Sequence, residues 1–184
     1  MRQITTGNAN VCVGRQAGYS ISTGYSNAYV GHEAGYGNTT GHSNAYLGYK
    51  AGRTVTTGAY NIIIGKDAAL NLANGSQNVV IGHQAGYSSG SLRSDCVIIG
   101  NQAGYNWNRS KMVAIGYRAL YLEKGEGNTA IGYNCMGDSA PTGLYSEQNT
   151  AIGQESLHKI NGSGSGNGSY NVVVGYRAGY NATT

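Results

Sequence analysis

This chain of 184 residues has no phenylalanine, one proline and three cysteines, and only 11% of its residues are charged. Each scarcity excludes something. Cys12, Cys96 and Cys135 are odd in number and unevenly placed, which rules out a disulfide framework or a paired-cysteine metal site and casts them as small apolar fillers. Twelve basic and eight acidic residues give a net charge of +4, but they are scattered, so no nucleic-acid footprint forms. No apolar run approaches the length of a membrane helix, so membrane insertion is not expected. The stretch Met1–Gly7 lacks a secretory hydrophobic region, which makes the Sec route unexpected if Met1 is the natural start.

What the chain has in excess is glycine, 31 residues, and tyrosine, 16. A flexible linker would share the glycine but not the period. The phrase Asn78-Val79-Val80-Ile81-Gly82-His83-Gln84-Ala85-Gly86-Tyr87 recurs throughout, with its glycine at Gly14, Gly31, Gly48, Gly65, Gly82, Gly100, Gly116, Gly132, Gly153 and Gly175. The first four intervals are 17 residues and the later ones 18, 16, 16, 21 and 22. A branched aliphatic always precedes that glycine. Four residues before it stands Asn10, Asn27, Asn44, Asn61, Asn78, Asn128, Asn149 or Asn171, with Cys96 and Met112 as departures. Three after it comes a small residue, usually alanine. Positions below are counted from this glycine.

Short aliphatic runs bounded by Gly, Asn and Ser carry the signature of strands, and no helical spacing competes. A unit this small cannot pair its own strand, so copies must stack, each strand against its equivalent one repeat on. The expected fold is all-β, a parallel β-solenoid of about ten coils of 16–22 residues. It forms one array over 1–184, with regular coils at 7–105 and coils with longer loops at 106–184.

In Ile62-Ile63-Ile64 the outer two side chains point one way and the middle one the other. Both faces are apolar, so one needs cover from outside. The middle position, represented by Tyr29, Tyr46, Ile63, Val80 and Ile98, is assigned to an interface between copies, most simply in a homotrimer.

Asn128-Thr129-Ala130-Ile131-Gly132-Tyr133-Asn134 and Asn149-Thr150-Ala151-Ile152-Gly153 resemble the repeats of trimeric autotransporter adhesin heads and of bacteriophage tail fibres. The resemblance covers Asn10 to about Tyr180. It implies a left-handed parallel β-roll, three of which pack about an axis, and a non-enzymatic structural or adhesive fibre on a virion or outside the cell. Partners implied are the chain itself, as a homotrimer or an end-to-end filament, a neighbouring fibre or adaptor protein, and a host-surface glycan or receptor. The Ala-Gly-Tyr that follows most glycines departs from the adhesin pattern. A self-assembling extracellular filament or surface layer is the alternative.

The longer loops at Met136–Gly143 and Ile160–Ser169 are either receptor-facing or surface slack. Trp107, Tyr105, Tyr121 and Tyr145 are the aromatics proposed to meet a receptor. Tyrosines at position +5 (such as Tyr19, Tyr36 and Tyr87) and +1 (such as Tyr49 and Tyr117) form either a stacked ladder or a glycan-binding surface. No nucleophile, base and orienter recur together, which speaks against an active site of the polysaccharide-cleaving kind. Histidines and aspartates lack metal-site spacing, and no cofactor is expected. An ice-binding solenoid would need threonine ladders, and the threonines are read as keeping no single position.

Overall fold

A computed structural model describes residues 6–87, 93–106, 109–122, 125–137, 147–161 and 168–183. It is all-β. The strands are β1 (Val11–Val13), β2 (Ala28–Val30), β3 (Ala45–Leu47), β4 (Ile62–Ile64), β5 (Val79–Ile81), β6 (Val97–Ile99), β7 (Val113–Ile115), β8 (Thr129–Ile131), β9 (Thr150–Ile152), β10 (Lys159–Asn161), β11 (Val172–Val174) and β12 (Asn181–Thr183). Ten of them form one parallel sheet in the order β1 to β9, then β11. The register is the repeat itself: Ile62 pairs Val79, Ile63 pairs Val80, Ile64 pairs Ile81. The chain is a parallel β-solenoid, as the sequence predicts.

Strands stay three residues long because both ends are turned by fixed backbone geometry. The residue at −5 is left-handed, as at Ser26 (φ 54°) and Gln77 (φ 59°), and the residue at +2 is left-handed again, as at Gln84 (φ 53°). Between them Gly82 adopts φ 139°. A Cβ there would run into the Gly100 carbonyl of the next coil, so this column admits only glycine.

One sequence assignment is overturned. Tyr29, Ile63, Val80 and Ile98 are 0% exposed and Tyr46 is 1%, all within a single chain. In the ten-stranded sheet the middle position of the strand faces the coil interior, and the two flanking positions face out. The reason is room. Chain turns at both ends of each strand crowd the corners, and the central side chain projects into the middle of the coil.

The interior is filled by exchange of volume between two positions six residues apart. Tyr29 and Tyr46 lie opposite Gly35 and Gly52, where an added Cβ would come within 2.8 and 2.7 Å of the ring. Ile63 is matched with Ala69. Where the strand supplies only Ala114, Ala130 or Ala151, the position six residues on supplies Leu120, Met136 or Leu157, all buried. Large meets small and small meets large, which keeps a thin core close-packed. Burial also holds the phenols of Tyr29 and Tyr46 far above the ordinary tyrosine range.

Asparagine at −4 shares the inward face with the middle residue, being two positions before it. Its amide is the coil-to-coil lock. The Asn27 backbone N–H and Nδ2 both donate to Asn10 Oδ1 (3.1 and 3.0 Å), and Nδ2 also donates to the Gly41 carbonyl at 2.9 Å. The pattern continues through Asn44, Asn61 and Asn78. It ends where Cys96 donates only its backbone N–H to Asn78 Oδ1 at 3.2 Å, and resumes from Asn128 through Asn149 to Asn171.

Position +7 is a second interior column holding Ile21, Asn38, Val55 and Leu72, all buried. The Asn38 amide nitrogen and oxygen make no hydrogen bond, although Val55 and Leu72 pack apolar groups against Gly58 and Gly75 in the same place. Substituting Asn38→Leu is expected to raise stability by about 1–3 kcal/mol, because two unmet polar atoms are removed and an apolar column is completed. Thermal and denaturant unfolding would check this, and a lower midpoint would refute it.

Lys159–Asn161 and Asn181–Thr183 pair as a second, two-stranded parallel sheet. The sequence reading placed Ile160 and Asn161 of the first in the insertion loop Ile160–Ser169 and gave the second no role.

Candidate interaction surfaces

With the middle residues turned inward, the outer surface of the large sheet belongs to the residues on either side of them. From Val11 and Val13 to Val172 and Val174, two side chains per strand face out over ten strands. They are Val, Ile, Leu and Ala apart from Thr129 and Thr150, and none is charged. None is buried: Ile62 is 43% exposed, Leu47 49% and Val11 57%. Ten rungs at ~4.8 Å and three strand residues at ~3.3 Å make a face of about 480 Å². A stable protein interface takes roughly 800 Å² from each partner, so this face alone would supply more than half of one. Contiguous apolar surface on this scale marks an interaction site. On one border, position +1 carries Arg15, His32, Tyr49, Lys66, His83 and Tyr117 among others, and no carboxylate.

The tyrosines form a second surface, around the corner that follows the glycine. Tyr87, Tyr105 and Tyr121 stack with centroids 5.0 and 5.1 Å apart, and Tyr19 stacks on Tyr36 at 5.0 Å with the rings 1° from parallel. Tyr117 stacks on Tyr133 at 5.2 Å. These rings spend their faces on one another, so the ladder of the two sequence readings is the one seen. Phenol edges and hydroxyls are what the surface presents. Desolvation first, and then the two flanking phenols, push the Tyr105 hydroxyl up. Of the four residues proposed to meet a receptor, Tyr105 and Tyr121 sit in this column. Trp107 and Tyr145 lie outside the described residues, as do 138–143 and 162–167 of the two long loops.

Cations lie across the ladders. Arg118 sits over both Tyr117 and Tyr121 (5.2 and 4.8 Å to the centroids), and Arg177 over both Tyr176 and Tyr180 (5.3 Å each). Arg53 covers Tyr36 at 5.3 Å. Arg118 and Arg177 stand at +2, which falls between two aromatic positions, +1 and +5, of the same coil.

Among the described residues no group of three His, Cys, Asp or Glu could hold a metal ion, and no helix is long and apolar enough to cross a membrane. Thr23, Thr40 and Thr57 do share one exposed column, contrary to the sequence reading, but on a bend rather than on the flat sheet. No family model, curated protein or solved structure matches this chain.

Proposed function

We propose that this protein is a non-catalytic structural and adhesive fibre segment, a homotrimer whose subunits pack through the outward face of the ten-stranded sheet. The observation that carries the reading is the absence of any charged side chain among the outward residues of that sheet. A lone rod leaving such a face in water gains nothing from it, whereas burying it against copies removes a large apolar area from solvent. The repeat's resemblance to adhesin heads and tail fibres supports the number three and a place on a virion or outside the cell. The tyrosine corner stays free to meet a host surface.

Ile62→Asp is expected to leave the coil folded and dissociate the assembly, because three charges would be brought together at a desolvated interface. Sedimentation equilibrium and circular dichroism would check this together. A stable monomer for the unaltered protein would overturn the proposal. So would turnover of capsule or cell-wall glycans by the purified protein.

A further inference from the structure

Three arginines cross tyrosine rings among the described residues, and they differ in what neutralises them. Arg53 Nε donates to Glu33 Oε2 at 2.7 Å, and Arg177 Nε to Glu155 Oε2 at 2.6 Å. The Arg53 guanidinium, followed by nearby His32 and Lys50, holds the Glu33 carboxyl below its usual range against a smaller opposing effect of burial. Both of those cations are structural ties between coils. Arg118 is placed in the same way, yet its Nε donates to a neutral amide oxygen, Gln102 Oε1, at 2.9 Å. Gln102 in turn donates its Nε2 to Gln84 Oε1 at 3.0 Å. The terminal amino groups of Arg118 make no hydrogen bond or ion pair with the described residues. A guanidinium has five N–H donors in a fork suited to a carboxylate or phosphate, and here one is spent.

The surroundings repeat over three coils. Gln84, Gln102 and Arg118 form a polar column at +2, and Tyr87, Tyr105 and Tyr121 a phenol column at +5 beside it. Successive rungs are ~4.8 Å apart, so the strip offers a row of hydroxyls and amides that ends in a guanidinium with no ion-pair partner among the described residues. Stacked rings are stiff, so their hydroxyls are placed at little entropic cost.

We propose that this strip binds an acidic glycan, with Arg118 gripping an anionic group borne by a sugar, a carboxylate or a phosphate, while the phenol and amide columns meet the hydroxyls of neighbouring sugars. A polyhydroxylated chain can use the whole row of donors and acceptors, which an acidic peptide would leave largely unmet. The inference deepens the adhesive part of the function proposed above and rests on it.

The test is calorimetric titration of the assembled, full-length protein with three probes: oligogalacturonate, a phosphorylated oligosaccharide and a neutral glucan of equal length. Saturable binding of either acidic probe over the neutral one is expected, and which one binds distinguishes carboxylate from phosphate. Arg118→Gln should weaken it about tenfold or more. Arg118→Lys, which keeps charge but loses the fork, should fall between, and Arg177→Gln should leave it unchanged. The proposal is overturned if neither acidic probe binds the folded protein, if the neutral glucan binds equally well, if Arg118→Gln has no effect, or if polyglutamate binds as tightly as the sugars. A monomer that still binds an acidic sugar would sink the assembly proposal and spare this one. An assembled protein that binds none would do the reverse.

Discussion

Ile63→Asp is expected to destroy the coil around it, at a cost of about 4 kcal/mol or more, whereas Ile62→Asp next to it leaves the fold intact. Ile62, Ile63 and Ile64 are chemically identical and consecutive, and their fates are set by which way each points. Ile63 is fully buried in the interior column between Tyr46 and Val80, so an aspartate there would have neither water nor a cation. Removing the partner of a buried charge costs about 3–5 kcal/mol, and a charge placed with none should cost at least as much. Because solenoid stability is close to a sum over neighbouring coils, the loss should spread from the fourth strand before it reaches the ends. Hydrogen exchange resolved along the chain would read this directly. A cooperative melt near that of the unaltered protein, with the central coils still protected, would show that Ile63 does not face inward.

The exchange of volume between positions six apart leads to a second large effect. Ala114→Ile alone overfills the seventh coil and should cost about 1–3 kcal/mol. Leu120→Gly alone opens a cavity that should cost about 2–4 kcal/mol. A left-handed conformation at Leu120 (φ 51°) favours glycine and offsets part of that loss, by about 1 kcal/mol. Together the two changes recreate the Ile98 and Gly104 of the preceding coil, and the double variant should be nearly as stable as the parent. The coupling expected from a double-mutant cycle is about 2–3 kcal/mol, at the upper end for residues in contact. Additive losses would mean that the two side chains do not share one space.

How much of this was readable beforehand depends on which physical signal carried it. The period, the strand and the parallel stacking followed from glycine, asparagine and aliphatic residues in fixed register, since a unit without an internal partner can only pair with its copy. The direction of the strand's middle residue did not follow, because both of its faces are apolar and hydropathy is blind to inside and outside here. Two signals would have settled it. Asn27 and Tyr29 share a face, and an amide repeated in nearly every coil is best satisfied by its copies in a dry interior. Tyr29 with Gly35, and Ala130 with Met136, trade size, as only residues filling one space need do. The tyrosine corner was half legible: the columns could be counted, but the difference between Arg118 and the glutamate-tied Arg53 and Arg177 depends on which side chains meet across coils. Lys159–Asn161 gave no warning, since its partner strand, Asn181–Thr183, lies one long coil away and shares no motif with it.

The asparagine column also gives the rod a direction. Every side-chain amide from Asn27 to Asn78 donates one N–H backward to the asparagine of the coil before it and one to a backbone carbonyl of the following repeat, and turns its own oxygen toward the coil that follows. Aligned amide dipoles add, as peptide dipoles do in a helix, and chained hydrogen bonds polarise one another. This column therefore carries partial positive charge toward β1 and partial negative charge toward β6, buried where water screens it least. Two such rods lying side by side are electrostatically distinct when they run the same way and when they run oppositely. Antiparallel pairing would set unlike ends together and parallel pairing like ends. A trimer cannot pair all of its members antiparallel, so in a threefold bundle the apolar face must outweigh this internal polarity.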